Sequence, residues 1–210
     1  MHLRFQDIDQ LDHVYRLNLI NGITGYKPAN LIGTKSKDGV SNLAIISSVV
    51  HLGSNPPLVG YILRPTTVPR HTHENILNTN TYTINHIHSD FVERAHYTSA
   101  KFDKGVSEFD KCNFTEEYID GFSAPYVKES AIKLGMSYVE QVHIKANNTM
   151  LIIGKIEHII IPDECVLEDG KPDLNHVNDV CISGLNNYHQ VKEIASFPYA
   201  RVNEVPDFGA

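Results

Sequence analysis

Thirteen residues, Arg64-Pro-Thr-Thr-Val-Pro-Arg70-His-Thr-His-Glu-Asn-Ile76, hold two arginines, several hydroxyl groups and the start of a helix. Thr72 is a good N-cap, Asn75 follows three positions later, and Ile76 and Leu77 turn inward on the helical turn that follows. A helix N-terminus presents free N–H groups and the positive end of its dipole, which suits an anion such as a phosphate. Arg64 and Arg70 add charge-assisted bonds to the same anion, bidentate where the guanidinium lies flat against it. The competing reading is a pair of solvated arginines beside an ordinary capped helix, because N-capped helices are common.

Other residues with chemistry in them are weaker. His71-x-His73 and His86-x-His88 are i, i+2 pairs, and on a strand such residues share a face, so two pairs can assemble a metal site. The first pair sits at a helix start, however, and no Cys or carboxylate joins either pair at a familiar ligand spacing, so incidental placement is the better reading. Cys112, Cys165 and Cys181 show no C-x-x-C spacing, which excludes a zinc knuckle or a disulfide framework. Cys112 follows Asp110 and Lys111, with nothing beside it that marks a reactive thiol.

The elements that must position these residues read mainly as β. Residues 11–21 are a short helix or strand. Residues 29–35 form a strand, Ser36-Lys-Asp38-Gly39 a hairpin turn, and 40–50 the returning strand, too apolar in its middle for an exposed edge. Asn55-Pro56-Pro57 breaks the pattern before a strand at 58–63, then the 64–70 loop, the helix from Thr72 and a β-branched strand at 81–87. Residues 89–122 read as one or two short helices with loops, around Val92–Tyr97 and Thr115–Ile119. Strands at 136–145 and 149–161 flank an Ala146–Asn148 turn, and Pro162 ends the second. Gly154 inside that strand implies a bulge or a close backbone approach. Residues 163–178 are a polar insertion and the chain from Cys181 is irregular. So many strands ask for a closed or nearly closed antiparallel barrel, which covers their edges.

The 210 residues suffice for one domain, with a core at about 25–190 and a tail at 191–210. A net charge of −7 argues against a general nucleic-acid surface but leaves room for a local basic pocket. No apolar run approaches a membrane span or a signal peptide, so a cytoplasmic chain is expected.

The ordered set Gly39-Val-Ser-Asn42-Leu-Ala44-x-x-Ser47, Asn55-Pro56-Pro57, Arg64…Arg70-x-Thr72-x-x-Asn75-Ile76 and Tyr82-Thr-Ile-Asn85 resembles the flavin reductase-like family with the FMN-binding split barrel. The resemblance continues through Ser99-Ala-Lys-Phe-Asp-Lys-Gly105-Val-Ser-Glu108-Phe109, Ala124–Ser130, Gly154-Lys-Ile and Gly184-Leu-Asn-Asn-Tyr188, and covers roughly residues 29–190. It implies a closed Greek-key split barrel with a few short helices, a homodimer, and one FMN per subunit near the dimer interface.

The phosphate site implied by the family matches Arg64 to Asn75. Arg64 and Arg70 would neutralise the phosphate, and Thr72 with its following amides would bond it. The family often has an acidic residue before the threonine; His71 stands there, does not repel a phosphate and can donate to it. By resemblance Asn42, Ser47 and Ser48 lie along the isoalloxazine ring, where donors at O2, O4 and N1 stabilise the reduced form. Ala100 and Lys101 fall where the family closes over the cofactor; Tyr188 either packs near the ring or the dimer seam or is a buried aromatic with a bonded hydroxyl. The implied reaction is hydride transfer from NADH or NADPH to flavin, which needs no protein nucleophile. The alternative is an FMN-binding electron carrier or flavin store. Delivery of reduced flavin to a partner monooxygenase or another acceptor is a third reading. The motifs of the related pyridoxine phosphate oxidases are not matched.

Overall fold

The computed structural model describes residues 1–65 and 69–208, so Thr66, Thr67 and Val68 of the arginine loop lie outside the described residues. The chain runs through helices α1 (Phe5–Asp9) and α2 (His13–Gly22), then strands β1 (Lys27–Pro28), β2 (Asn30–Lys35), β3 (Ser41–Ile46), β4 (Val50–Ser54) and β5 (Pro57–Leu63). After the loop come α3 (His71–Thr79), β6 (Thr81–His86), α4 (Val92–Tyr97), α5 (Glu108–Lys111), β7 (Glu116–Glu117) and β8 (Tyr126–Val127). The long pair β9 (Lys133–Ile144) and β10 (Thr149–Ile160) follows, and then β11 (Val180–Ser183) and β12 (Asn187–Gln190).

Seven strands make one antiparallel sheet in the order β3-β2-β6-β9-β10-β5-β4. Its two outermost strands, β3 and β4, are consecutive in the chain and separated only by residues 47–49, so the chain passes from one end of the ladder to the other through that short linker. Ser48 sits in the linker. Its Oγ donates to the Ile62 carbonyl at 3.2 Å and accepts from the Ile62 N–H at 3.0 Å, standing in for a ladder pair between the linker and β5. The enclosed core holds Ile32, Val59, Tyr61, Tyr82, Ile84, Met136 and Ile152, with Ile76 of α3 plugged into it. A second core lies on the other face of β2, where Leu31, Leu43 and Ile87 meet Phe91, Ala95, Phe109 and Ile182.

The Ser36–Gly39 hairpin forms as its sequence predicts: Ser36 N–H donates to Val40 O at 2.8 Å, and Gly39 takes φ +86°, where a side chain would be strained. Residues 11–21 resolve in favour of a helix, capped by Asp12. Four expectations need correction. The N-cap of this helix lies two residues earlier than expected, at Arg70 rather than Thr72, and the helix begins at His71. Residues 40–50 fall on two strands, because the chain bends at Ser47 and passes from one outermost strand of the sheet to the other. Thr115–Ile119 is not helical, since Glu116 and Glu117 pair with β8 and tertiary pairing overrides a weak local preference. The chain beyond Cys181 is not irregular throughout: β11 and β12 form a hairpin that pairs with β1.

All three cysteines are buried and free, and burial raises each thiol above its ordinary pKa. Among the described residues no helix is long and apolar enough to cross a membrane.

Gly154 meets both expectations for it. The β9–β10 register slips between Ile153 and Gly154, and a Cβ on Gly154 would stand 2.1 Å from the hydroxyl of Tyr82. Gly154→Ala should therefore cost about 1–3 kcal/mol in urea unfolding, as overpacking does. The Tyr82 hydroxyl is buried without a partner, so Tyr82→Phe should be close to neutral alone and should recover part of the Gly154→Ala loss.

Candidate functional site

An outermost strand inside a folded chain has N–H groups with no ladder partner, and each must find an acceptor. On β3 these are Leu43 and Ile45. Leu43 N–H donates to Oε2 of Glu108 at 2.9 Å, and Ile45 N–H donates to Oγ1 of Thr98 at 3.0 Å. Helices α5 and α4 thus cover the strand with side chains rather than with another strand, which reconciles the apolar middle of β3 with its place at the end of the ladder.

Glu108 does more than cap. The same Oε2 accepts from Nδ2 of the buried Asn42, in a short contact. That fixes which way the Asn42 amide faces, and its Oδ1 is turned toward α3, where it accepts from Oγ1 of Thr72 at 2.9 Å. Thr34 on β2 joins the same oxygen at 3.5 Å and accepts from Nδ2 of Asn75 at 3.1 Å. His73 ties the helix to β9 through Gln141 at 2.9 Å. The first turn of α3 is therefore held by polar bonds to three strands.

That turn has unused donors. The first intrahelical bond runs from Glu74 N–H to Arg70 O at 3.0 Å. The N–H groups of His71, Thr72 and His73 have no acceptor among the described residues. Arg70, at the N-cap, is half-buried, and its Nη2 donates to Pro65 O at 3.4 Å. This lays its guanidinium beside the residue that follows the exposed Arg64. Its Nε is buried with no partner, and neither arginine has an acidic partner among the described residues. A buried guanidinium N–H at the N-cap and three first-turn N–H groups, without acceptors among the described residues, fit a phosphate or another oxyanion.

Of the residues expected in the site, Asn42, Thr72 and Asn75 are linked in one network, Arg70 and His71 are the N-cap and first residue of α3, and Arg64 is exposed on the preceding loop. The side chains of Asn42, Thr72 and Asn75 are already engaged with the protein, so they act as struts. Ser47 and Ser48 lie at the far end of β3, and the Ser48 hydroxyl is engaged with Ile62. Ala100 and Lys101 are exposed on a loop anchored at Thr98 to β3 and through Lys104, 3.5 Å from Glu74, to α3. Tyr188 donates to or accepts from His96 Nδ1 at 3.0 Å and packs edge-on against that ring, and burial pushes its phenol up to about 12. His86 contacts Asp179 at 2.6 Å and His88 caps a short turn at Asp90, so the two rings of that pair engage different partners. Among the described residues no three His, Cys, Asp or Glu side chains gather as a metal group.

Glu108, Thr34 and Thr98 were not singled out from sequence as site residues. A glutamate in a short polar stretch looks like surface, and only the third dimension brings it under β3.

Residues 26–180 match the model of the flavin reductase like domain. The chain belongs to the flavin reductase-like family. A crystal structure from Shewanella frigidimarina, assigned as a flavin reductase with a split barrel domain, is 46% identical and superposes with a TM-score of 0.92 over 95% of this chain and 100% of the other. Nitrilotriacetate monooxygenase component B from Bacillus cereus shares the fold at 18% identity, with a TM-score of 0.81 over 94% of this chain and 98% of the other. Flavoredoxin of Desulfovibrio vulgaris does so at 23% identity, with a TM-score of 0.72 over 83% and 92%. This flavin reductase-like chain is therefore a split-barrel protein, mainly antiparallel β with few short helices.

Removing the Glu108 carboxyl leaves Asn42 Nδ2 and Leu43 N–H buried without acceptors. Glu108→Ala should lower stability by about 2–5 kcal/mol in urea unfolding. Glu108→Gln keeps an acceptor oxygen and should lose less than half as much.

Proposed function

We propose that this chain binds FMN and passes hydride from NADH or NADPH to it, with the N-terminus of α3 as the phosphate site. The observations that carry the reading are the buried Nε of Arg70 and the N–H groups of His71, Thr72 and His73, none of which has an acceptor among the described residues. Arg70 and Arg64 neutralise the phosphate, and the amides of His71, Thr72 and His73 bond its oxygens. His71 adds a ring N–H where a carboxylate would repel.

Asn42, Thr72 and Asn75 hold α3 in register with the sheet rather than touching the cofactor themselves. Ser47 and Ser48 bring backbone groups to the ring, since the Ser48 hydroxyl is engaged with Ile62. Ala100 and Lys101 sit on the loop that closes from above, Lys101 adding a positive charge. Bound FMN supplies the hydride-accepting centre that the protein's own side chains lack. The work of the chain is to seat the flavin, align the nicotinamide and exclude water. We read the barrel as closed in function, its seam held at Ser48, and the assembly as a homodimer. Likeness to a monooxygenase component favours a partner monooxygenase as the consumer of reduced flavin.

Purified protein reconstituted with FMN should show flavin bands that bleach on anaerobic addition of NADH or NADPH. Bands that persist with both nucleotides would favour the carrier or store reading. Arg70→Ala should weaken FMN binding by about 1.5–3 kcal/mol, the loss of a hydrogen bond to a charged group. Unchanged affinity in both Arg70→Ala and Arg64→Ala would remove the phosphate assignment.

A further inference from the structure

A chain of hydrogen bonds between groups that each donate and accept has two ways to point. A group that only accepts picks one of them. Glu108 supplies that group. Its carboxylate takes the N–H of Leu43 at 2.9 Å and Nδ2 of Asn42. With the NH2 side of Asn42 drawn to the carboxylate, the amide oxygen is the side left for α3 and β2. Thr72 therefore donates to Oδ1 at 2.9 Å, and Thr34 donates to it at 3.5 Å. Thr34 has then spent its only proton, so it accepts from Nδ2 of Asn75 at 3.1 Å. Every proton of the chain, from Thr72 and Asn75 on α3 to Asn42 on β3, points toward one carboxylate.

The carboxylate is itself held in place from α5. Ser41 gives its single hydroxyl proton to Oε1 of Glu116 at 2.5 Å, so Ser107, 2.8 Å away, must donate to Ser41. Glu116 also accepts from Tyr118 at 2.6 Å, and Tyr118 accepts from Lys35 Nζ at 3.0 Å. Ser107 is the N-cap of α5 and adjoins Glu108, so the start of that helix is tied to β3 at Ser41, Asn42 and Leu43. A second carboxylate does for α5 what Glu108 does for α3.

These are costly groups to bury. Thr34, Asn42, Asn75 and Glu108 are 7% exposed or less, and apolar side chains of the same size would need no partners there. What an apolar filling lacks is direction. It packs a helix against a sheet, whereas a fully satisfied polar chain holds the first turn of α3 in one arrangement.

We propose that Glu108 is a positioning residue for the phosphate-binding turn of α3, acting through Asn42 and Thr72 without touching the ligand. Its charge matters as well as its shape. In Glu108→Gln the side chain has an NH2 group of its own, which lets the Asn42 amide turn over and present Nδ2 to α3. Thr72 and Thr34 then lose their shared acceptor, and the first turn of α3 has several arrangements that ligand binding must narrow at a cost. This role rests on the phosphate reading above and names what holds that site in its binding geometry.

Fluorescence titration of the apoprotein with FMN and with riboflavin tests it in Glu108→Gln, Thr72→Val and Thr72→Ser, each checked for folding by circular dichroism. Glu108→Gln and Thr72→Val should each weaken FMN binding by about five- to tenfold, the worth of one hydrogen bond, and leave riboflavin within about twofold of wild type. Thr72→Ser keeps the hydroxyl and should bind FMN as wild type does. The double variant Glu108→Gln/Thr72→Val should lose no more than the worse single variant, because both break one chain. The phosphorus NMR resonance of bound FMN should shift or broaden in Glu108→Gln and Thr72→Val and stay in place in Thr72→Ser. Thr72→Val decides the matter where Glu108→Gln fails to fold. Folded variants that bind FMN as wild type does, or that lose FMN and riboflavin alike, would overturn the proposal. A wild type that binds the two ligands equally contradicts the phosphate reading itself. A wild type that separates them, with the separation intact in both variants, contradicts only the positioning role.

Discussion

One carboxyl group satisfies a strand edge and aims a side chain at the same time. Glu108 accepts from Leu43 N–H and from Asn42 Nδ2. The first bond lets β3 end the ladder without exposing its backbone. The second leaves Asn42 only one face to offer, and that face takes the hydroxyl of Thr72. From there the chain of consequences runs to α3, whose first turn is held to β2, β3 and β9, and so to Arg70 at its N-cap. In the proposed phosphate site, N–H groups held rigidly at a helix end would be organised before the ligand arrives, with little ordering cost remaining.

The sheet's construction explains why this site lies where it does. Consecutive strands stand at opposite ends of one ladder, and the bend at 47–49 joins them. Ser48 ties that linker to β5 by bonding both backbone groups of Ile62. The ends of the ladder are where backbone donors are left over and where loops can approach. Both the loop carrying Ala100 and Lys101 and the N-terminus of α3 converge beside β3.

Much of this was legible in the residues. Asp38-Gly39 announced its hairpin and Gly154 its bulge and close contact, because each rests on local geometry that a short segment fixes by itself. The role of Thr72 was misread for an informative reason. As an N-cap its hydroxyl would serve its own helix, but Asn42 offers an acceptor from thirty residues away, and no local pattern reveals that. Glu108 was illegible for the same reason. A buried carboxyl and an exposed one have the same neighbours in sequence, and only the packing of α5 on β3 separates them. The β11–β12 hairpin was missed because its partner, β1, is two residues long and lies at the other end of the chain.

The central claim is that the first turn of α3 with Arg70 is a phosphate site. Riboflavin is FMN without the phosphate, so comparing the two ligands isolates that site. Fluorescence titration of the apoprotein should give FMN a dissociation constant at least about a hundredfold below that of riboflavin, the equivalent of two or more charge-assisted bonds. Equal affinity for the two would contradict the account.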